Sequence, residues 1–207
     1  MTWIKICGIT NIEDALDAIS LGVDALGFIF APSSRRVKPE AVQKIIHALP
    51  RTLLKVGVFV NEEWKEVQQV AKYCSLNAFQ FNGKESPEYC QKFFHPVFKA
   101  LHMKGLESLK DIGKYDGISI LLDTYSPVQA GGTGNSFPWE IALIAKEKKD
   151  FILSGGLRPL NVREAIKKVK PWGVDVCSGV EMNPGKKDLS KMIDFVKEVK
   201  KADETAG

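Results

Sequence analysis

Ile118-Ser-Ile-Leu-Leu-Asp123 is a run of Ile and Leu broken once by a serine and closed by a carboxylate. A strand with one wet face alternates apolar and polar residues, whereas a run this continuous is expected of a parallel strand covered on both faces. Outward from it in both directions the same unit recurs: a short apolar run, a turn, then a segment of helical period. Strands are expected upstream at Trp3–Cys7, Ala25–Phe30, Leu54–Val60, Ala78–Phe81 and Val97–Leu101, and downstream at Phe151–Ser154 and Val174–Cys177. Thr10-Asn-Ile-Glu13 reads as a capping box for the first helix, which Gly22 closes; Pro39 sits in the first turn of the second, and Ser86-Pro87 opens the fourth. The other helices are expected from about Glu62 to Tyr73, around Leu106–Ile112, from Trp139, from about Asn161, and from about Asp188 to Lys200.

Eight strand–helix units in strict alternation favour a closed (β/α)8 barrel, an α/β single-domain TIM barrel with parallel strands over residues 1–207. An open doubly wound sheet is the alternative, but it would carry Gly-x-Gly-x-x-Gly after the first strand, where this chain reads Cys7-Gly-Ile-Thr-Asn11. Residues 201–207 are polar and expected to fray.

The composition, 44% hydrophobic and 26% charged over 207 residues, suffices for one sizeable core. The formal charge is only +4, and the lysine clusters near Lys186 and from Lys197 to Lys201 read as solvated helix faces, so no nucleic-acid partner is expected. The chain does not open on a cationic start followed by an apolar run, and no stretch approaches the ~20 apolar residues of a membrane helix. A cytoplasmic protein without membrane contact is expected. The cysteines at 7, 74, 90 and 177 have neither Cys-x-x-Cys nor zinc spacing, which speaks against a metal and against a disulfide framework.

Active sites in such barrels lie at the C-terminal ends of the strands. The residues there are Cys7, Arg35 or Arg36, Asn82, Asp123, the loop Gly131-Gly-Thr-Gly134, Gly155-Gly156 and Ser178-Gly179. One thiol, one carboxylate, a guanidinium and glycine-rich turns suit a small substrate bearing both a phosphate and a carboxylate. The turns after strands seven and eight fall where backbone N–H groups commonly bind phosphate. A lone Cys7 would be a small buried hydrophobe. At the strand's mouth, however, it shares a face with Lys5, which would favour its thiolate, and it neighbours Cys177 across the barrel's closure. Asp123 must face the mouth or find a buried partner such as Lys5 or Arg36, and Asp175 is the better structural partner for Lys5.

In order, Lys5-Ile-Cys-Gly8, Gly27-Phe-Ile-Phe30 with Ser34-Arg-Arg36, Val56-Gly-Val-Phe59, Leu121-Leu-Asp-Thr124, Gly131-Gly-Thr-Gly134, Ser154-Gly-Gly-Leu157, and Asp175-Val-Cys-Ser-Gly-Val-Glu181 with Pro184-Gly-Lys-Lys-Asp188 resemble phosphoribosylanthranilate isomerases along essentially the whole chain. The resemblance implies an aldose–ketose isomerase of L-tryptophan biosynthesis. Its reaction is the Amadori rearrangement of N-(5-phosphoribosyl)anthranilate, with no cofactor and no metal. It implies that Asp123 is the general acid that opens the ribose ring and that Cys7 is the general base that takes the C2 proton. Arg36 would hold the anthranilate carboxylate, and Gly155, Gly156, Ser178 and Gly179 the phosphate. Gly132 and Gly134 would belong to a loop covering the site. Where the family usually has Gln-Leu-His-Gly, this chain reads Gln80-Phe-Asn-Gly83, so Asn82 is expected to act near the substrate only as a neutral hydrogen-bonding or packing group. The expected partner is the small-molecule substrate, with the chain a monomer or a homodimer. Two other readings are a histidine-pathway isomerase and a non-catalytic phosphosugar-binding barrel. The first needs a second phosphate turn where Asn61-Glu-Glu and Asn82-Gly-Lys-Glu are acidic or mixed, and the second leaves the pairing of Cys7 with Asp123 without a purpose.

Overall fold

A computed structural model describes residues 1–124 and 139–204. Eight strands close in sequence order into one parallel barrel: β1 (Trp3–Cys7), β2 (Ala25–Ile29), β3 (Leu54–Phe59), β4 (Ala78–Phe81), β5 (Val97–Met103), β6 (Ser119–Thr124), β7 (Phe151–Leu153) and β8 (Gly173–Val176). The ring shuts where β1 meets β8, with Lys5 opposite Asp175 and Ile6 opposite Val176. The helices are α1 (Ile12–Ser20), α2 (Pro39–His47), α3 (Trp64–Cys74), α4 (Pro87–Cys90), α5 (Trp139–Lys146), α6 (Pro159–Val169) and α7 (Leu189–Glu204).

The sheet separates two apolar clusters. Ala25, Val56, Ala78, Phe98, Ala100, Leu121 and Ile152 fill the interior, while the alternate residues of the same strands, among them Ile4, Ile6, Leu26, Phe28, Ile120 and Leu122, pack beneath the helices. This parity decides what reaches the mouth: Cys7 follows Trp3 and Lys5 inward, and Asp123 follows Leu121. Trp3 packs on Phe98 and Trp172 with ring centroids 5.6 and 5.3 Å apart, which closes the N-terminal end. Halfway up, Lys5 Nζ donates to Asp175 Oδ1 at 2.7 Å, as expected for Asp175. Burial disfavours the ammonium, but Asp175 and Cys7 outweigh it and hold Lys5 charged.

Several local readings are corrected. The cap of α1 is Asn11, whose side chain accepts from Asp14 N at 2.9 Å, because the Thr10 hydroxyl is engaged by the Gly185 carbonyl. The fourth helix is a single turn, and the fifth position is a 3-10 segment, Leu106–Lys114, flanked and interrupted by Gly105 and Gly113. A short hairpin, β9 (Glu181–Asn183) and β10 (Lys186–Lys187), follows β8 and was not expected. The tail does not fray after Lys201: α7 runs to Glu204, Ala202 is buried, and Asp203 accepts from Thr2 N at 2.8 Å and Thr2 Oγ1 at 2.6 Å. Residues 205–207 and the loop with Gly131–Gly134 lie outside the described residues.

Candidate active site

The mouth of the barrel holds a cavity that opens to solvent. Cys7, Asn82 and Asp123 all line it, together with Arg35, Gln80, Ser154, Asp175 and Cys177. Inward parity brings Cys7 and Asp123 there from strands well apart on the ring. Gly27 makes room for the thiol, since a Cβ there would meet Cys7 Sγ at 2.6 Å.

Asp123 is buried, and its Oδ1 accepts only from Thr124 N at 2.8 Å among the described residues. Neither Lys5 nor Arg36 pairs with it. Burial pushes its carboxyl up to about 6, against the pull of His102, the Thr124 N–H and Lys5, and with a further push from Asp175. An acid of this kind keeps an appreciable protonated population near neutral pH.

The two thiols at the mouth are displaced in opposite directions. Cys7 is pushed well above its ordinary value, first by its hydrogen bond to Cys177 and then by burial, while Lys5 pulls the other way. Lys5 thus acts in the expected direction, but its charge is shared with Asp175. The same hydrogen bond draws Cys177 down to about 7 against burial, with help from Lys187 and Arg35. The two thiols ionise as a pair, with Lys5 favouring charge at Cys7 and Lys187 and Arg35 favouring it at Cys177.

Lys187 belonged to a cluster read as solvated, yet its side chain is completely buried. Its Nζ donates to Cys177 O and to Glu181 Oε1, both at 3.0 Å, and stands 3.9 Å from Cys177 Sγ. Glu181 in turn takes a bidentate clamp from Arg35, Nε to Oε1 at 2.8 Å and Nη2 to Oε2 at 2.7 Å. Burial alone would raise the Glu181 carboxyl, but Arg35 and Lys187 hold it below the ordinary range. The β9–β10 hairpin thereby fixes one wall of the cavity.

The two arginines after β2 part company. Arg35 lines it, while Arg36 is exposed on an adjacent groove with Phe59, Glu62 and Glu66. Only one of two consecutive residues can turn inward at the Ser33–Arg36 turn, and the Glu181 carboxylate captures the first. Asn82 is buried on the cavity wall and accepts from Gln80 Nε2 at 2.9 Å. His102 lies beneath it, with Nε2 on the Asn82 carbonyl at 3.0 Å.

Gly155 and Gly156 adopt φ of +80° and +68°, a region that favours glycine. A Cβ on Gly155 would stand 2.9 Å from Asp123 Oδ1, and one on Gly179 would strike the Leu157 carbonyl. The two turns are therefore pressed together beside the acid. The N–H groups of Gly155, Gly156, Ser178 and Gly179 have no backbone acceptor among the described residues, which suits an anion.

The model of the family described as "N-(5'phosphoribosyl)anthranilate (PRA) isomerase" matches residues 4–198. The chain is 48% identical over 202 residues to the N-(5'-phosphoribosyl)anthranilate isomerase of Geobacter sp. (strain M21), covering 97% of this chain and 99% of that one. The solved phosphoribosyl anthranilate isomerase of Thermotoga maritima is 43% identical, with a TM-score of 0.91 over 97% of this chain and 100% of the other. A solved phosphoribosyl anthranilate isomerase in complex with reduced 1-(o-carboxyphenylamino)-1-deoxyribulose 5-phosphate is 42% identical, with a TM-score of 0.88 over the same shares of the two chains. With its barrel, its mouth cavity and this likeness along nearly the whole length, the chain belongs to the N-(5'-phosphoribosyl)anthranilate isomerase family.

Proposed function

We propose that this enzyme converts N-(5-phosphoribosyl)anthranilate to 1-(2-carboxyphenylamino)-1-deoxyribulose 5-phosphate in L-tryptophan biosynthesis in the cytoplasm, with Asp123 as general acid and Cys7 as general base. The observation that carries the assignment is one cavity lined by both a buried carboxyl raised to about 6 and a hydrogen-bonded thiol pair. Asp123 gives its proton to the ribose ring oxygen as the C1–O bond breaks and the anilino nitrogen's lone pair forms the Schiff base. Cys7 then takes the C2 proton while its own thiol proton passes to Cys177. The C2–H electrons form the C1–C2 double bond of an enolamine, which tautomerises to the 2-ketone with a proton added at C1.

The phosphate sits on the N–H groups of Gly155, Gly156, Ser178 and Gly179, whose turns adjoin the acid. Arg36 takes the anthranilate carboxylate at the rim, beyond Pro32 and Ser33 of the cavity edge. Asn82 contributes a neutral wall. Gly132 and Gly134 are assigned to the covering loop from the resemblance alone. A solved relative from Thermotoga maritima is described as dimeric.

The purified protein is expected to turn over N-(5-phosphoribosyl)anthranilate, generated in situ and followed by fluorescence, without added metal or nucleotide. The reduced product analogue is expected to inhibit competitively because it keeps both anionic ends. Activity lost to a chelator and restored by a metal would overturn the scheme.

Oxidation offers a second check. Neighbouring parallel strands lie ~4.8 Å apart, inside the span of a disulfide, so peroxide is expected to inactivate the enzyme at Cys7 directly or by joining it to Cys177. Joining removes two hydrogens from the thiols and reduces peroxide to water. Mass spectrometry that finds Cys7 untouched in a fully inactivated sample would exclude both routes.

A further inference from the structure

Gln80 lines the mouth cavity, yet none of the proton transfers or anionic contacts assigned above uses it. It lies two residues beyond Ala78, which packs in the barrel interior, so parity turns its carboxamide inward. Its Nε2 donates to Asn82 Oδ1 at 2.9 Å, and its Oε1 is buried with no hydrogen-bond partner among the described residues. The residues at the same level on the flanking strands are Val58 and Phe98, whose side chains offer no donor. A buried amide that served only to hold the fold would have its oxygen paired, because an unpaired one forfeits its hydration without return. Of the buried side-chain polar atoms without a partner among the described residues, Gln80 Oε1 is the one that belongs to a cavity-lining residue.

The amide pair is held stiffly. Lys99 Nζ donates to the carbonyls on either side of Asn82, Phe81 O at 3.0 Å and Gly83 O at 2.8 Å, and its charge is matched by Glu85 at 3.2 Å. Asn82 N donates to Phe59 O at 2.9 Å. With the backbone fixed at these points, the bond between the two amides uses one donor and one acceptor. What the pair still has to offer is the Gln80 acceptor and the Asn82 Nδ2 donor, both uncharged.

We propose that this amide pair is the subsite for the sugar's C3 hydroxyl, which donates to Gln80 Oε1. The inference rests on the reading of the substrate as N-(5-phosphoribosyl)anthranilate. In that molecule the carboxylate and the phosphate go to Arg36 and the glycine turns, the ring oxygen meets Asp123, and the C2 oxygen becomes the ketone. The anilino nitrogen lends its lone pair to the Schiff base. Of the oxygens along the sugar, only the C3 hydroxyl is neither bound through charge nor changed by the reaction. It donates and accepts at once, which matches the two unused ends of the pair. A carboxamide does not titrate near neutrality, so it holds that oxygen without drawing it into the proton transfers. A sugar without the hydroxyl would leave Oε1 buried and unpaired, which makes the pair a determinant of specificity.

The experiment is a calorimetric titration of the parent and of Gln80→Met with two probes, the reduced product analogue and its 3-deoxy counterpart. The parent is expected to bind the 3-deoxy probe about tenfold more weakly, the size of one lost neutral hydrogen bond. Gln80→Met keeps the length of the side chain without the amide. It should bind the two probes within about twofold of each other, and the reduced product about tenfold more weakly than the parent does. A parent that binds both probes equally would overturn the subsite, and so would a folded variant that still prefers the hydroxylated probe. A urea transition establishes that the variant is folded, and Gln80→Leu replaces it if it is not; the parent's own preference is read without any substitution. Failure of the parent to bind the reduced product at all, or to turn over N-(5-phosphoribosyl)anthranilate, would instead refute the proposed function, a result distinct from binding without discrimination.

Discussion

Cys7→Ala is expected to lower turnover by more than ~10²-fold, the range for loss of a general base, while the affinity for the reduced product analogue stays within a few-fold of the parent. The two effects separate because the anionic ends of the ligand are assigned to the Gly155-Gly156 and Ser178-Gly179 turns and to Arg36, away from the thiol. The fold should survive, since Ala fits where Cys7 packs and Gly27 already leaves the space its sulfur fills. Turnover near the parental value would move the base to Cys177, the thiol drawn down to about 7 and next in line at the cavity. The companion variant Cys177→Ser sharpens the result. It removes the acceptor for the Cys7 proton and should shift the acid limb of kcat/KM to higher pH, because the base must then ionise against burial without a thiolate neighbour. Steady-state kinetics and a binding titration on the three proteins check these outcomes.

The eight-stranded barrel was legible because each strand carries a signal of its own, an apolar run bounded by turn residues, and because β6 is too continuously apolar for an exposed sheet. Parity from those strands then placed Cys7, Asp123 and Asn82 at the mouth, and made Asp175 the partner of Lys5. What escaped the reading lacked parity. Arg35 and Arg36 sit in an irregular turn after β2, where consecutive side chains have no fixed alternation, and the selection between them is made by Glu181 from far along the chain. Lys187 lies in a two-residue strand beside another lysine, and nothing local distinguishes the one buried on Glu181 from its half-exposed neighbour, which reaches the buried Asp14 of α1. His102 was lost to a boundary. β5 was expected to stop at Leu101 and in fact runs to Met103, so the inward residue opposite Asp123 fell into what was read as loop. The tail was misjudged for a related reason: its anchor, Thr2, is 201 positions away from Asp203 in sequence.

Asp123→Asn is expected to cost more than ~10²-fold in turnover, as loss of a general acid does, and at the same time to make the protein more stable at neutral pH. The amide keeps an oxygen for the Thr124 N–H but has no proton to deliver to the ring oxygen. In the parent, kcat/KM requires Asp123 protonated and the thiol pair ionised, groups displaced to about 6 and, at Cys177, to about 7. Those requirements overlap only in part, so the profile should be a bell centred between the two values, with a minor share of the enzyme correctly protonated at its maximum. The variant should lose the alkaline limb along with the rate. The stability effect follows from the same displacement. In the unfolded chain the carboxyl titrates at its ordinary 3.8, and in the folded protein at about 6. The native state therefore holds the proton more tightly, and stability present below 3.8 is lost as pH rises through about 6. Two units of displacement correspond to up to ~3 kcal/mol at neutral pH. Asparagine carries no charge to bury, so its urea midpoint should exceed the parent's at pH 7.5, with the gap closing as pH falls toward 4. A gap that is absent at pH 7.5, or that persists unchanged to pH 4, would mean that the carboxyl is not held up by burial. The kinetic role of Asp123 would then lack its physical basis even if the variant proved slow.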